Sequence, residues 1–474
     1  MDDTGVGILG TPLFRSTIMF LGLPFEIWEI IAIIVHESQN KRVQGLNGPI
    51  FAQISQQFRA IAMQMPRLWS TIYFPGPKLR KGHLHIARMH VERSDSYPLS
   101  VTAYTVRFNA DIMDLIIPLA PRWRYIDFRG PFKFFEALEA TVKDRLQNLE
   151  SCVVEVAFCK AFSARESPGP AFFPQEFLFL QNAVSLRHFF HHNAQHPYFL
   201  IPLSNLVSFH AAGFSESSLV NQECVPAPRK PIPTTCLSST LVTLSCSIHP
   251  ILSVAPILPN LRRLSLYIES LRYFSYYFAM VATLDRFFSK NGSGVENLTL
   301  LNARYVNPER PVGTLRRWLG YFPNVLVFTH FGYSSSNLLW PILTVRDPSN
   351  STGGSNANVL PRLHTLRVVG EHQGSGSILI EMLASRGWVE SQPAEGHSCI
   401  HSEEELQCLK AVYAGSVDEM DFEFFRQVNQ RVSAYKRNGF SLATGVERHW
   451  TPTRFAKRCP LGGEMYVPAE LTLP

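Results

Sequence analysis

The stretch "LPNLRRLSLY", Leu258 to Tyr267, decides how this chain folds. Its apolar residues Leu261, Leu264 and Leu266 have the L-x-x-L-x-L spacing of a turn that opens into a short strand. The same spacing occurs earlier at Trp123, Ile126 and Phe128, at Leu149, Cys152 and Val154, at Leu206, Phe209 and Ala211, and at Leu241, Leu244 and Cys246. It continues at Val295, Leu298 and Leu300, at Val325, Phe328 and His330, and at Leu363, Leu366 and Val368. Three units share a lead-in: "LPNL" at 258–261, "FPNV" at 322–325 and "LPRL" at 360–363. One instance would mean little, but the succession means a repeat. The units are spaced roughly 20 to 40 residues apart, which predicts an irregular array.

A unit of this kind cannot bury its own apolar face, so neighbouring units must stack. The predicted fold class is therefore α/β, an irregular solenoid with a parallel sheet on one face and helices on the other. Helical linkers fit "DIMDLIIP" (Asp111 to Pro118), "MVATLDRFFSKNG" (Met280 to Gly292), "TLRRWLGYF" (Thr314 to Phe322) and "SILIEMLASRG" (Ser377 to Gly387). Gly292 and Gly387 are placed to stop their helices. The segments "SPGP" (167–170), "VPAPRKPIPTT" (225–235) and "DPSNSTGGSNAN" (347–358) read as loops, because units resume after each. The pattern lapses from about Thr444, where an extended tail is expected.

The totals bound the function class. At 474 residues the chain has ample material for a core, and 46% hydrophobic with 17% charged residues is a globular composition. Lys and Arg total 44 against 38 Asp and Glu, with the excess scattered, so nucleic acid is not an expected partner. The eight cysteines are never spaced C-x-x-C and read as reduced, buried thiols. On that reading the N-x-S/T triplets at Asn291, Asn297 and Asn350 are coincidental.

"LPFEIWEIIAIIV", Leu23 to Val35, is among the most apolar stretches, yet it carries Pro24, Glu26 and Glu29. A spanning helix needs about 20 mostly apolar residues and disfavours central carboxylates, so no membrane segment is expected. The acidic leader "MDDTG" does not resemble a signal peptide, and an intracellular location, cytoplasmic or nuclear, is expected. Ile27, Ile30, Ile31 and Ile34 recur at helical spacing. A second helix is predicted over Ile50 to Met63, with Ile50, Ile54, Phe58 and Ile61 on one stripe and Pro66 ending it. The polar "HESQNKRVQGLNG" separates the two, and "LWSTIYF" (Leu68 to Phe74) alternates as a strand.

These pieces together resemble a known family. "LPFEIWEII", followed by "PIFAQISQQFRAIAMQMPRLWSTI", is similar to the F-box of fungal F-box proteins that carry leucine-rich-repeat-like C-terminal regions. The matching positions are Leu23, Pro24, Ile27, Ile31, Ile54, Ala60, Ile61, Pro66, Leu68 and Trp69. "VERSDSYPLSV" (Val91 to Val101) and "PRWRYIDF" (Pro121 to Phe128) are similar to the family's first repeats. The chain departs from the family at Ser55, Gln56, Gln57 and Phe58, where cysteine, basic residues and tryptophan are usual.

The resemblance implies a loose start (1–19), an F-box (20–68), an irregular leucine-rich-repeat-like region (69–443) and a tail (444–474). It further implies a substrate-recognition adaptor of an SCF-type ubiquitin ligase. The F-box would bind the Skp adaptor subunit, and through it cullin, while the repeats hold a protein target. The residues it assigns to Skp are Leu23, Pro24, Ile27, Ile31, Ile54, Phe58 and Ile61. A few short helices cannot enclose so many apolar side chains alone, and an uncovered apolar patch marks an interface. For Ile30, Ile34 and Trp69 the expectation is packing on the chain's own first repeat. The alternative is a repeat scaffold without a ubiquitin role, its opening helices serving only as a cap.

Catalytic chemistry is not indicated, and no cofactor or metal is expected. "GVGILG" (Gly5 to Gly10) lacks the preceding strand that a dinucleotide site needs. In "HESQN" an asparagine stands at position 40, where a zinc-protease helix needs its second histidine. His188, His192 and His196 would align on a helix, but Leu186 and Phe189 fit a repeat strand and Pro197 cuts the run. "HSCIH" (397–401) lies in a loop-like stretch without regular zinc spacing. Cys152 and Cys246 occupy repeat core positions and read as small hydrophobes.

Overall fold

The computed structural model describes residues 24–38, 41–74, 81–105, 108–156, 176–192, 198–199, 201–212, 240–247, 257–267, 274–301, 311–332, 336–344, 359–370, 377–386, 411–416 and 441–446. Leu23, Gly387, the "HSCIH" cluster and the three expected loop segments lie outside these residues. The chain divides into two compact units, Met1–Thr102 and Ala103–Pro474.

The first unit holds α1 (Phe25–Ser38), α2 (Lys41–Ile54), α3 (Gln56–Gln64), a 3-10 turn (Pro66–Trp69), β1 (Thr71–Phe74) and α4 (Lys81–Arg93), and β2 (Leu99–Tyr104) begins within it. The helix predicted over Ile50 to Met63 is in fact two helices, and α2 begins inside the stretch expected to be a polar spacer. Ser55 separates them: its backbone is extended, with φ of −158°, and its side chain accepts a hydrogen bond from the Phe58 N–H at 3.2 Å. A serine cap of this type is worth about 1 kcal/mol. The apolar spacing runs across the break, so periodicity could not reveal it.

Trp69 organises this unit. Its indole N–H donates to the Ala62 carbonyl at 2.6 Å, tying α3 to the 3-10 turn. Its ring lies so close to Gly48 of α2 that a Cβ there would sit 2.8 Å from it, which explains a glycine inside that helix. The Arg93 guanidinium of α4 stands 4.3 Å over the ring, and the Trp69 carbonyl meets Nδ1 of His90 at 3.0 Å. Around this contact Trp28, Ala32, Ile61, Ala62, Met65 and Leu68 close the interior. β1 and α4 thus belong to the same compact body as the opening helices.

The second unit holds β3 (Trp123–Gly130), β4 (Ser151–Val156), β6 (His188–His192), β8 (Ser208–Ala212), β9 (Thr243–Ser247), β10 (Arg263–Tyr267), β11 (Asn297–Leu301), β12 (Val327–Gly332), β13 (Thr365–Gly370), β14 (Ala411–Ser416) and β15 (Ser441–Val446). Each pairs in parallel with the next in that order, while β5 (Glu176–Phe177) and β7 (Tyr198–Phe199) form a separate small sheet. Among the described residues its α-helices are α5 (Ala110–Ile116), α6 (Phe132–Val142), α7 (Phe274–Asn291), α8 (Pro311–Gly320), α9 (Ser336–Leu343) and α10 (Ser377–Ser385). This is the α/β repeat array that the L-x-x-L-x-L units predicted. β15 runs past Thr444, where the sequence pattern fades.

The register explains the motif. Ile126, Cys152, Phe189, Phe209, Leu244, Leu264, Leu298, Phe328 and Leu366 pair in succession, and all are buried. Phe128, two residues beyond Ile126, meets Phe134 of α6 edge-on at 5.4 Å, so this is the side on which helices pack. The lead-ins have their own role. Leu261, Val295, Val325 and Leu363 each donate a backbone bond to the residue three before, closing a turn into the strand.

The residue just before the first motif position then reaches back one unit. Asn148 donates to the Pro121 carbonyl at 2.8 Å, Asn205 to Val184 at 2.7 Å and Asn324 to Ser293 at 2.8 Å. α7 ends at Asn291, immediately before Gly292 as expected, and that glycine also makes room: a Cβ there would collide with the Tyr321 carbonyl.

Two tests follow from this packing. Buried Asn291 accepts from the Leu258 N–H at 2.6 Å and donates to the Phe287 carbonyl at 3.0 Å. Asn291→Leu strands that N–H and should cost about 1–3 kcal/mol in urea denaturation.

His90 must donate from Nδ1, since the Trp69 carbonyl can only accept. Burial, aided by the Arg93 charge, lowers its pKa from 6.5 to about 4 against the opposing pull of that carbonyl. The folded state therefore holds a neutral ring that the unfolded chain would protonate below about 6.5. The resulting stability, on the order of 3 kcal/mol, is complete above that pH and is lost as pH falls toward 4. Denaturation series across this window should show the slope in the wild type, and His90→Phe should remove it.

Candidate partner-binding surface

α1 is apolar on two sides, and the unit's interior uses only one. At 100° per residue, Trp28, Ala32 and His36 share a face, and all three are buried. Ile27, Ile30 and Ile34 fall within roughly 60° of one another on the opposite face. They are 39%, 52% and 60% exposed. Pro24 precedes the helix, and its carbonyl accepts from the N–H groups of Ile27 (3.1 Å) and Trp28 (3.4 Å), starting the first turn. Glu26, exposed in that turn, complements the positive end of the helix dipole.

The neighbouring helices carry exposed apolar side chains of their own. Ile50 and Ile54 are one turn apart on α2 and exposed, Ile54 at 57%, and Met63 of α3 is exposed as well. Phe58 is half-buried, its ring edge-on to Trp28 at 4.9 Å and tilted against Phe51 at 6.0 Å. Ile31 is half-buried against the same interior.

The residues assigned to partner binding therefore divide. Pro24, Ile27 and Ile54 face outward, while Phe58 and Ile31 present only part of their surface. Ile61, 3% exposed, belongs to the unit's own core and offers no contact surface. The expectation that Ile30 and Ile34 pack inward is overturned, because Trp28 and Ala32 occupy the inward face. Trp69 is fully buried, as expected. Ile30, Ile34, Ile50 and Met63 are exposed apolar residues that the sequence did not assign to partner binding. The available signal was that α1 is apolar on both of its faces while its unit is too small to cover it.

His196 lies outside the described residues, and the candidates within them take structural roles. His188, in a strand and not a helix, contacts Ser208 Oγ through Nδ1 at 2.8 Å. His191 is buried on the helix side of the sheet. Among the described residues no three His, Cys, Asp or Glu side chains are grouped to hold a metal ion. Burial pushes the Cys246 thiol up to about 12 and raises Cys152 as well, which disfavours the nucleophilic thiolate in both. Among the described residues no helix is long and apolar enough to cross a membrane.

No family model and no curated protein matches the chain. Among solved structures it is similar to a chain of the crystal structure of the Rad7 and Elc1 complex in yeast. The identity is 12% over 88% of this chain and 95% of that one, with a TM-score of 0.32. A likeness that distant has no bearing on function.

Proposed function

We propose that this protein is a substrate-recognition adaptor of an SCF-type ubiquitin ligase. The helical unit docks on the Skp adaptor subunit, which links it to cullin, and the repeat unit holds a protein target. The chain performs no catalysis itself; it raises the effective concentration of the target beside a ubiquitin-carrying enzyme. One observation carries the reading: the outer face of α1 exposes Ile27, Ile30 and Ile34 while its inner face is already filled. Fully burying an isoleucine is worth about 1.5–3 kcal/mol, so a partner covering this stripe gains several such increments. The sequence resemblance names the partner.

The second reading, a repeat scaffold with the opening helices as a cap, draws support from Ile61, which serves only the chain's own interior.

Size-exclusion chromatography of purified protein with Skp separates the two. Under the adaptor reading the wild type co-elutes, and Ile30→Glu with Ile34→Glu abolishes co-elution while the circular dichroism spectrum is unchanged. Both positions are more than half exposed, so the double variant should fold. A wild type that ignores Skp supports the scaffold.

A further inference from the structure

At the strand starts of the repeat unit, successive backbones form a continuous chain of hydrogen bonds. Arg187 N–H donates to the Glu150 carbonyl at 2.8 Å, Val207 to Arg187 at 2.8 Å, Val242 to Val207 at 2.9 Å, Arg262 to Val242 at 2.9 Å and Glu296 to Arg262 at 2.8 Å. These residues therefore form one row, one per strand. Arg187 and Arg262 are exposed, and Val207 and Val242 between them are half-buried. Glu150 pairs with Arg124 at 2.8 Å and Glu296 with Arg262 at 3.4 Å, each with both side chains more than two-fifths exposed. Such exposed pairs are screened and readily exchanged for another carboxylate. Arg263, next to Arg262 and also exposed, adds a second positive charge at that end.

We infer that this row is a docking lane for an extended, acidic segment of a protein, with two carboxylates flanking apolar side chains. Arg187 and Arg262 lie three strand steps apart, roughly 14 Å at about 4.8 Å per step. An extended chain rises about 3.3 Å per residue, so carboxylates about four residues apart match the two guanidinium groups. The apolar residues between them rest on Val207 and Val242. Charge sets the register and the orientation, as is usual where complementary potentials meet. The inference rests on the reading that the repeat unit holds a protein target, and it specifies that target's chemistry.

A fluorescent synthetic peptide with two glutamates four residues apart around a pair of leucines tests the lane by anisotropy with the full chain. The wild type should bind it, less tightly as salt is raised, and Arg187→Glu or Arg262→Glu should each weaken binding by roughly tenfold or more. The matching glutamine peptide should not bind. Equal binding of the glutamine peptide, unchanged affinity in both variants, absence of wild-type binding, or binding only by a phosphoserine version would overturn the assignment. Skp co-elution of the arginine variants is expected to match the wild type. Failure of this lane is thereby read separately from failure of the adaptor reading.

Discussion

Register is the constraint on which the repeat unit depends. Leu244 pairs with Leu264, Leu264 with Leu298, Leu298 with Phe328 and Phe328 with Leu366, with no offset between strands. Because side chains alternate along a strand, a slip of one residue at any pair would turn that row of buried side chains to the opposite face. The asparagines at the turns fix the register from outside the sheet, since Asn148, Asn205 and Asn324 each bond to the equivalent turn one unit earlier. The apolar motif thus sets which face is inward, and the polar lead-in sets where each strand starts. Together they let segments of very different length separate units that still stack.

The helical unit solves a different problem. It is small, and its interior is built around a single indole that three helices approach. Gly48 admits the ring, Ala62 accepts its N–H, and Arg93 and His90 close the other side. Ala32 and Trp28 complete the inner wall from α1. Once that wall is in place no room is left for the second apolar face of the same helix. The stripe of isoleucines is therefore a consequence of how little interior a unit of this size can provide.

Much of this was legible in the sequence, for physical reasons that also explain the omissions. The motif spacing placed β3, β4 and β8 to β13, because each buries large apolar residues at fixed intervals. It missed β14 and β15, where Ala411, Ala414, Gly415, Ala443 and Gly445 dilute the signal while the register continues unchanged. The break at Ser55 was hidden because capping is a backbone event that leaves the apolar period intact. Which side of α1 turns inward could not be read either. Apolar residues stand on both faces, and the choice is made by Trp28 and Ala32, whose partners Phe58 and Trp69 come from elsewhere in the chain.

The central claim is that the outer face of α1 is half of an interface completed by the Skp adaptor. A photoactivatable amino acid placed at position 30, irradiated in the presence of that adaptor and resolved by mass spectrometry, tests it most directly. The account predicts a covalent adduct from position 30 and none from the exposed position 140 on α6. Absence of an adduct at position 30, or equal labelling from both positions, would contradict it.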